Sequence, residues 1–403
     1  MTAILQEWGE LVLRWAHVIA AIMWVGDSFL FMWLDSKLRK AHPARTGELI
    51  GELWMAHGGG FYEVVKRKSL ESIPDELHTF KWESYATWIT GFLLLILVYW
   101  AGGRAMLLDA ASPTAHATAI GLSASTLFGT TALYHLLCRT PLVQRPAAMG
   151  LVGLLAVAGG GWALLQVLTP RAAFLQVGAT LGTIMASNVL LTIIPAQREM
   201  MAATREGRAV DTRPGAKAKL RSTHNHYLTL PVLLTMLSNH FPSLYGGPYA
   251  FAVLTLVCVL GVGVKIAMNQ RRATPLWIWG GTLVALVGAM ALTVPTTGAA
   301  DDPALLQHRK VAFSEVRTIM AARCVSCHAE TPSFQGFAAP PQGVVLETAG
   351  QIQAQAQRIL VRTVQTKTMP LGNLTAMTDA ERLLVGAWIV QGADVDARAE
   401  AAK

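Results

Sequence analysis

The chain has 403 residues, of which 53% are hydrophobic and only 14% are charged. Soluble domains carry roughly 25% charged residues, so this composition argues against a disordered chain, a coiled coil or a nucleic-acid-binding protein. The net charge of +8 is instead typical of a membrane protein, in which basic residues accumulate in the cytoplasmic loops.

Eight stretches of the sequence qualify as transmembrane helices, each of which needs about 20 mostly apolar residues. They lie near residues 11–34, 83–101, 116–137, 147–168, 174–195, 223–243, 249–268 and 275–297. The first is not a convincing signal peptide, because its flank carries Glu7 and Glu10 rather than basic residues. We therefore predict an all-α fold, in which a polytopic transmembrane bundle of about eight spans is followed by a small helical domain.

Basic residues are distributed unevenly between alternate connections. Nineteen lysines and arginines lie in segments 35–82, 138–146, 196–222 and 269–274, whereas two lie in segments 102–115, 169–173 and 244–248. Cytoplasmic loops hold the basic excess, so the two longest segments, 35–82 and 196–222, are predicted to lie in the cytoplasm. Both termini are then expected outside the cytoplasm, with membrane lipid around the helices.

The composition changes after residue 297, where a polar segment begins and no further span follows. We predict a transmembrane domain at 1–298 and a small soluble domain at 299–403 on the outer face. A helical run is expected at 304–322, and a second helix is expected after Thr378-Asp379-Ala380-Glu381, which matches the capping-box pattern. Two helices crossing beside a haem are the minimal frame of a small cytochrome c, which this domain resembles.

The strongest chemical signal is a CxxCH motif formed by Cys324, Cys327 and His328, the attachment pattern of a c-type haem. Two thiols three positions apart on one helical turn can form thioethers to the two vinyl groups, and the adjacent His328 then faces the iron as an axial ligand. A chance CxxCH or a redox CxxC is the alternative. The other two cysteines, Cys138 and Cys258, are isolated, so no disulfide framework is expected. The sequence therefore predicts one covalent haem c.

The second axial ligand of this iron is expected from the loop between the two helices. Met369 is followed by Pro370, which stiffens the loop, and Met-Pro segments of this kind resemble the distal ligand loop of cytochromes c. Met377 and Met320 are the alternatives for this role. A thioether ligand raises the iron potential relative to two histidines, so the haem should accept electrons from a donor in the membrane.

Ionisable residues within membrane spans are functional candidates by default, and the histidines of the first domain form two groups by predicted depth. Near the outer face lie His17, His116 and His240, and near the inner face lie His78, His135, His224 and His226. A lone histidine on a helix is more often a satisfied polar residue than a ligand, but the grouping favours ligation. The simplest interpretation is one or two b-type haems between the helices, with candidate ligands His17, His116, His240, His135, His224 and His226.

Two further sets of polar residues are functional candidates, one inside the first predicted span and one in the long loop 35–82. Asp27 falls within the first span, where an unpaired carboxylate costs about 3 kcal/mol, so it is a proton carrier, a substrate contact or a hydrogen-bonded packing residue. The loop 35–82 contains His57, three glycines and then Lys66-Arg67-Lys68, which could approach and attract an anion or lipid headgroups. A flexible basic loop at the membrane surface explains the same residues equally well.

Taken together, the motifs resemble the bacterial membrane-bound urate oxidases, also called urate hydroxylases, over essentially the entire length of the chain. The resemblance rests on Leu13 to His17 with Trp24 to Ser28, His57 to Tyr62, Thr223 to Tyr227, Leu230 to Leu233, Ser238 to His240, Cys324 to His328 and Met369 to Asn373. It implies oxidation of urate to 5-hydroxyisourate with oxygen from water. It also implies electron transfer through the cytochrome domain to an external cytochrome c or a terminal oxidase of the respiratory chain.

The same resemblance implies a location in the bacterial inner membrane, with the cytochrome domain in the periplasm. Urate would bind at the cytoplasmic side near His57 and the inner histidines, with a lysine or arginine countering its charge, and His57 and Asp27 are the catalytic candidates. Two other functions remain open. One is a quinol:cytochrome c oxidoreductase that takes electrons from the lipid phase, and the other is a non-enzymatic membrane protein with a redox-sensing cytochrome. Nothing in composition or periodicity identifies urate.

Overall fold

The computed structural model of the protein describes residues 2–39, 49–67, 70, 72–270, 273–294, 309–334, 337 and 339–395. The described chain is mostly helical, which confirms the predicted fold class at that level. Its first part contains α1 (Thr2–Lys37), α2 (Trp82–Leu94, continued by a π-helical turn at Leu95–Trp100), α3 (Arg104–Leu107), α4 (His116–Leu137), α5 (Pro146–Leu165), α6 (Pro170–Asn188), α7 (Ile194–Arg205), α8 (Thr212–Leu237), α9 (Ala250–Gln270) and α10 (Leu276–Leu292).

Several helices are long and apolar enough to cross a membrane. Among the described residues there are five such segments, Ile4–Lys37, Trp82–Trp100, Pro146–Leu165, Pro170–Arg205 and Ala250–Gln270, and each overlaps a predicted span. The other three predicted spans also form helices, but α10 has only 17 residues and α8 begins with a basic, polar half. Large apolar side chains such as Trp15 and Trp277 are exposed on these helices, as expected where lipid covers them. A bundle of eight spans stays a prediction.

The segment 35–82 contains a β-hairpin that the all-α prediction did not include. Strand β1 (Leu49–His57) pairs antiparallel with β2 (Gly60–Arg67) through a turn at Gly58 and Gly59. Both glycines have positive φ, 60° and 82°, a conformation that favours residues without a Cβ. Lys66 of β2 forms a salt bridge of 2.5 Å with Asp35 of α1, which ties the hairpin to the inner end of that helix. Residues 49–67 are therefore regular structure rather than a flexible loop.

Most of the second long basic segment, 196–222, is helical, so the loop within it is shorter than predicted. α6 continues through a π-helical turn at Val189–Ile193 into α7, and the chain turns only at 206–211 before α8 begins. Pro195 accounts for the π turn, because a proline inside a helix removes a backbone donor and crowds the preceding turn. The basic residues of this segment consequently lie in α7, in the first half of α8 and in the short turn between them.

Close crossings at glycines place α8 between α6 and α9. An added Cβ at Gly261 of α9 would lie 2.8 Å from the backbone nitrogen of Pro231 in α8, and one at Gly178 of α6 would collide with Thr235 of α8. Small residues at such crossings let helix backbones approach each other. Polar residues on opposite faces of α8 therefore contact different helices, and this separates the surroundings of its two histidines.

The second part of the chain folds as a small helical unit. Its helices are α11 (Phe313–Arg323), α12 (Ala349–Ala354), α13 (Ala356–Ile359, continued by a π-helical turn at Leu360–Gln365) and α14 (Asp379–Val390). Trp388 of α14 is buried against Phe313 of α11, and its indole nitrogen donates to the carbonyl of Asp394 at 2.9 Å. The predicted boundary at residue 298 and the first residues of the helix predicted at 304–322 lie outside the described residues.

The capping box predicted at the start of α14 is confirmed. The Thr378 hydroxyl accepts a hydrogen bond from the backbone N–H of Glu381 at 3.2 Å, and the Glu381 carboxylate accepts one from the backbone N–H of Thr378 at 2.7 Å. Arg323, at the end of α11, donates to the same carboxylate at 3.0 Å. Partial burial raises the pKa of Glu381, but these hydrogen bonds outweigh that effect and hold the pKa below its usual value.

Replacing Thr378 with alanine is expected to lower the free energy of unfolding of α14 by about 1 kcal/mol, because the first turn loses its cap. Hydrogen exchange of the α14 amides in the full chain, followed by mass spectrometry, measures this loss. Ser314→Ala, at an exposed position near the start of α11, is the control. Equal protection of α14 in the two variants would contradict the assigned role of the cap.

Candidate functional site

The CxxCH residues lie at the end of α11 with a geometry suited to haem attachment. Cys324 is buried, Cys327 is half-buried, and the backbone N–H of His328 donates to the Cys324 carbonyl at 2.9 Å, which closes one turn. Burial raises the pKa of the Cys324 thiol to about 12. The Nδ1 atom of His328 lies 2.9 Å from the carbonyl oxygen of Val344, to which it donates. This bond fixes the tautomer and leaves Nε2 for an iron, as in other histidine ligands of metals.

Met369 lies in a loop that is held from both sides. Its backbone N–H donates to the carbonyl of Arg362 at 2.9 Å, and its own carbonyl accepts a hydrogen bond from the guanidinium of buried Arg382 at 2.7 Å. The alternatives Met320 and Met377 are packed in the hydrophobic core with exposed fractions of 1% and 3%. These contacts fit a haem c held by Cys324, Cys327, His328 and Met369, whose roles stay predictions.

The Met369 loop faces the outer end of the helix bundle. The backbone N–H of Ala110, which follows α3, donates to the carbonyl of Gly372 at 2.7 Å. Gly372 has a φ of 53°, and an added Cβ there would lie 3.0 Å from the carbonyl of Leu108. A second contact joins Thr366 to Gly246, in the connection between α8 and α9. The Met369 loop of the second domain and Thr366, which precedes it, therefore contact this end of the first domain.

A polar and aromatic cluster lies directly beneath this contact. Asn239 accepts hydrogen bonds through Oδ1 from Arg171 at 3.1 Å and from the Tyr99 hydroxyl at 3.3 Å. Tyr245 is buried in the same region, within electrostatic range of Arg171 and of Arg362 from the second domain. The cluster connects the ends of α2, α6 and α8 to the residue whose carbonyl holds Met369.

The three outer histidines occupy different places. His17 lies against α2, where Nδ1 donates to the carbonyl of Thr87 at 3.0 Å and where an added Cβ at Gly91 would lie 2.8 Å from its ring. This arrangement leaves Nε2 of His17 for a ligand. Nε2 of His116, at the start of α4, is buried without a hydrogen-bond partner, whereas His240 is exposed at the outer end of the bundle. In the described part of the chain, no hydrogen bond or ring contact joins any two of these histidines.

One of the inner histidines, His224, belongs to a largely buried hydrogen-bonded network between α4, α6 and α8, and His135 lies next to it. The Tyr134 hydroxyl lies 2.7 Å from Nδ1 of His224 and accepts a hydrogen bond from Asn188 at 3.0 Å, while Asn188 also donates to Asn225 at 2.9 Å. His135, next to Tyr134, lies 2.9 Å from the Ser187 hydroxyl. Two of these partners, Tyr134 and Ser187, were not identified as candidates from the sequence.

A second inner group lies on the opposite face of α8. His226 is within electrostatic range of Lys265 on α9 and of Asp35 on α1. Lys265 is fully buried, and its Nζ lies 3.6 Å above the ring of Phe29. Sequence reasoning missed Lys265, although a lysine inside the predicted span 249–268 is the kind of signal that marks a functional position in a membrane.

The two catalytic candidates lie apart from these groups. Asp27 of α1 is within electrostatic range of Glu83 at the start of α2 and of His78. One carboxylate oxygen of Glu83 is buried without a partner, and the other lies 4.0 Å from His78. His57 is exposed at the end of β1, next to the hairpin turn. The structure therefore brings Asp27 to a carboxylate–histidine pair, and it places His57 on the surface of the hairpin.

Comparison with protein families gives one match. The family described as urate oxidase N-terminal matches residues 3–294, which cover α1 to α10 and the hairpin. No curated protein and no solved structure matches the chain significantly. The matched range ends before α11, so it does not extend to the CxxCH motif or to Met369.

Proposed function

The chain belongs to the urate oxidase N-terminal family, and on that premise we propose that it is a membrane-bound urate oxidase that passes its electrons to a haem c in its own second domain. The family supports an oxidoreductase that acts on urate. The apolar helices support a membrane location. The CxxCH motif and the His328–Val344 hydrogen bond support the covalent haem.

The proposed reaction balances without oxygen as a reactant. Urate and water give 5-hydroxyisourate, two protons and two electrons, and the oxygen atom of the new hydroxyl group comes from the water. When bound, haem c would accept electrons one at a time and pass them to an external cytochrome c or a terminal oxidase. In this scheme the first domain binds urate, removes protons through a general base and excludes competing reactions. His57, Asp27 and the inner histidines remain the candidates for that base.

The contact between the two domains is the observation that carries the proposal. The loop with the predicted iron ligand Met369 rests on the outer end of the bundle through Gly372 and Thr366. The buried cluster of Tyr99, Arg171 and Asn239 lies directly below. An electron that leaves the membrane part therefore has a short route to the second domain. The same contact agrees with the predicted orientation, in which this end of the bundle and the second domain lie in the periplasm of a bacterial inner membrane.

The proposal is tested by comparing electron donors. Purified membranes or the detergent-solubilised protein, kept anaerobic, are mixed with urate or with a quinol while the haem absorption bands are recorded. Reduction by urate at a catalytic rate is expected, and reduction by the quinol alone would instead identify a quinol:cytochrome c oxidoreductase. Haem c that neither donor reduces would favour a non-enzymatic, redox-sensing protein. The same spectra report any b-type haem, and their loss in His17→Ala or His116→Ala would identify membrane ligands.

Replacing Gly246 with alanine is expected to slow reduction of haem c by urate about tenfold, since misplacing reacting partners by about 1 Å can cost as much as 100-fold. An added Cβ there would collide with the side chain of Thr366 and lie 2.8 Å from its carbonyl oxygen, so the second domain must shift. Stopped-flow absorbance after mixing with urate measures the rate.

Gly247→Ala is the matched control for this change, because its Cβ would meet only the carbonyl of Leu292, at an ordinary 3.9 Å. Both variants should bind haem c and be fully reduced by dithionite. An unchanged rate in Gly246→Ala would show that this contact does not govern electron transfer between the domains.

A further inference from the structure

Lys265 is fully buried, and the described residues provide no counter-ion for it. Its exposed fraction is 0%, and Nζ has no hydrogen-bond partner. In the described part of the chain no carboxylate lies within salt-bridge distance of it, and its Nζ lies 3.6 Å from the centre of the Phe29 ring. An ammonium group buried in this way is unfavourable unless a ligand or a proton exchange compensates for it.

A second unsatisfied group lies one turn away on the same helix. Oδ1 of Asn269 is buried without a hydrogen-bond partner, and residues four apart lie on the same face of a helix. His226 of α8 lies within electrostatic range of Lys265. Lys265 and Asn269 thus present one donor cation and one free acceptor side by side, between α1, α8 and α9.

The nearby charges of the protein do not satisfy this site. Asp35, the carboxylate within electrostatic range of His226, is paired with Lys66 of the hairpin at 2.5 Å. Among the described residues, Arg221 is a second buried cation in this half, on the opposite side of α8. It lies over the ring of Tyr134 at 5.0 Å and interacts with the polar groups of Tyr134 and Cys138, although its Nη1 has no hydrogen-bond partner. Unlike Arg221, Lys265 has no polar side chain as a partner among the described residues, so an anion from outside the chain would compensate its charge.

We propose that Lys265 is the counter-ion of the urate anion, which binds between α1, α8 and α9 with an oxygen against Nζ of Lys265 and a ring N–H against Oδ1 of Asn269. This inference rests on the proposed function and assigns its substrate site. Urate is planar and anionic and carries acceptor oxygens next to N–H donors, which is the pattern that this pair of side chains complements. Phe29 supplies an apolar wall, and His226 lies within electrostatic range of Lys265.

The site lies near the C-terminal end of α9. Lys265 lies one and a half turns before the end of α9 at Gln270, and Asn269 is half-buried while its neighbour Met268 is exposed. The end of α9 nearest the site is therefore the end that the distribution of basic residues predicts to be cytoplasmic. The site and the second domain lie at opposite ends of the bundle.

The test is substitution of Lys265 in the full-length, haem-loaded protein. Lys265→Met is expected to raise the KM for urate about 100-fold, with a smaller change in kcat, because it removes one partner of a buried charge pair. The dissociation constant for urate, measured by anaerobic equilibrium dialysis, should rise by the same factor. Lys265→Arg should restore part of the affinity, and Lys217→Met, at an exposed position of α8, should change neither value. If Lys265→Met does not accumulate, Asn269→Leu, which keeps the lysine, should raise KM about tenfold.

The outcomes separate this inference from the proposed function. Reduction of the wild-type haem by urate, together with an unchanged KM in Lys265→Met, would overturn the site and leave the function standing. No reduction of the wild-type haem by urate would end the proposed function. In that case, urate binding in dialysis that is lost in Lys265→Met but kept in Lys217→Met would still support the site, and absence of binding to the wild type would overturn both.

Discussion

Replacing both Cys324 and Cys327 with alanine is expected to leave the protein without covalent haem and to reduce electron transfer from urate to background. The loss should exceed the ~100-fold that removal of an outer-shell partner costs a metal site, since here the attachment itself is lost. Both cysteines lie at the end of α11 next to His328, whose Nδ1 bond to Val344 orients the ring. Peroxidase staining of a denaturing gel detects covalent haem, and absorbance detects reduction by urate.

Cys258→Ala is the matched control, because Cys258 is buried in α9 and outside the CxxCH motif. It should retain the haem stain and the reduction by urate. Full reduction by urate in a double cysteine variant that carries no covalent haem would contradict the role given to the second domain. Covalent haem in that variant would contradict the attachment motif.

Replacing Met369 with leucine is expected to lower the reduction potential of the haem by on the order of 100 mV, a fraction of the about 0.8 V range that axial ligands set. Leucine has a similar volume, so the loop that Arg362 and Arg382 hold should keep its course. Loss of the thioether makes the haem a poorer acceptor, and reduction by urate should slow accordingly. Potentiometric titration of the full-length protein measures the change.

Met377→Leu separates this ligand from its alternative. Met377 is buried in the core of the second domain, and its replacement by leucine conserves volume. Its two hydrogen bonds to Asn373 of the loop are made by the backbone of Met377, so leucine keeps them. An unchanged potential is expected there. A fall in potential in Met377→Leu, with none in Met369→Leu, would show that Met377 and not Met369 is the distal ligand.

The elements that sequence predicted best are those whose signal is local. The capping box at Thr378 and Glu381 depends on residues three apart, and the structure reproduces both of its hydrogen bonds. Most apolar spans overlap described helices for the same reason. The hairpin at 49–67 was missed, because its strands carry charged residues in a segment that its basic content marked only as a loop. The continuation of α6 into α7 was missed, because Pro195 favours a break that the π-helical turn absorbs.

The side-chain contacts of the candidate site could not be predicted from the sequence. Depth along a helix could be counted, and it divided the histidines into the two predicted groups. The direction in which a side chain points around the helix could not be predicted, because it depends on packing. His224 and His226 are two residues apart, and they lie near Tyr134 and Lys265 respectively, on opposite sides of α8. Glycine crossings at Gly178 and Gly261 set that packing, and neither carries a signal for its partner helix.

The measurement that tests the central claim most directly is an anaerobic titration of the oxidised, full-length protein with urate. The amount of reduced haem c and the amount of 5-hydroxyisourate are determined together, in water labelled with heavy oxygen. The account predicts two haem c equivalents reduced for each urate consumed, label from water in the product and no hydrogen peroxide. Urate oxidation that requires oxygen, forms peroxide or leaves the haem oxidised would contradict it.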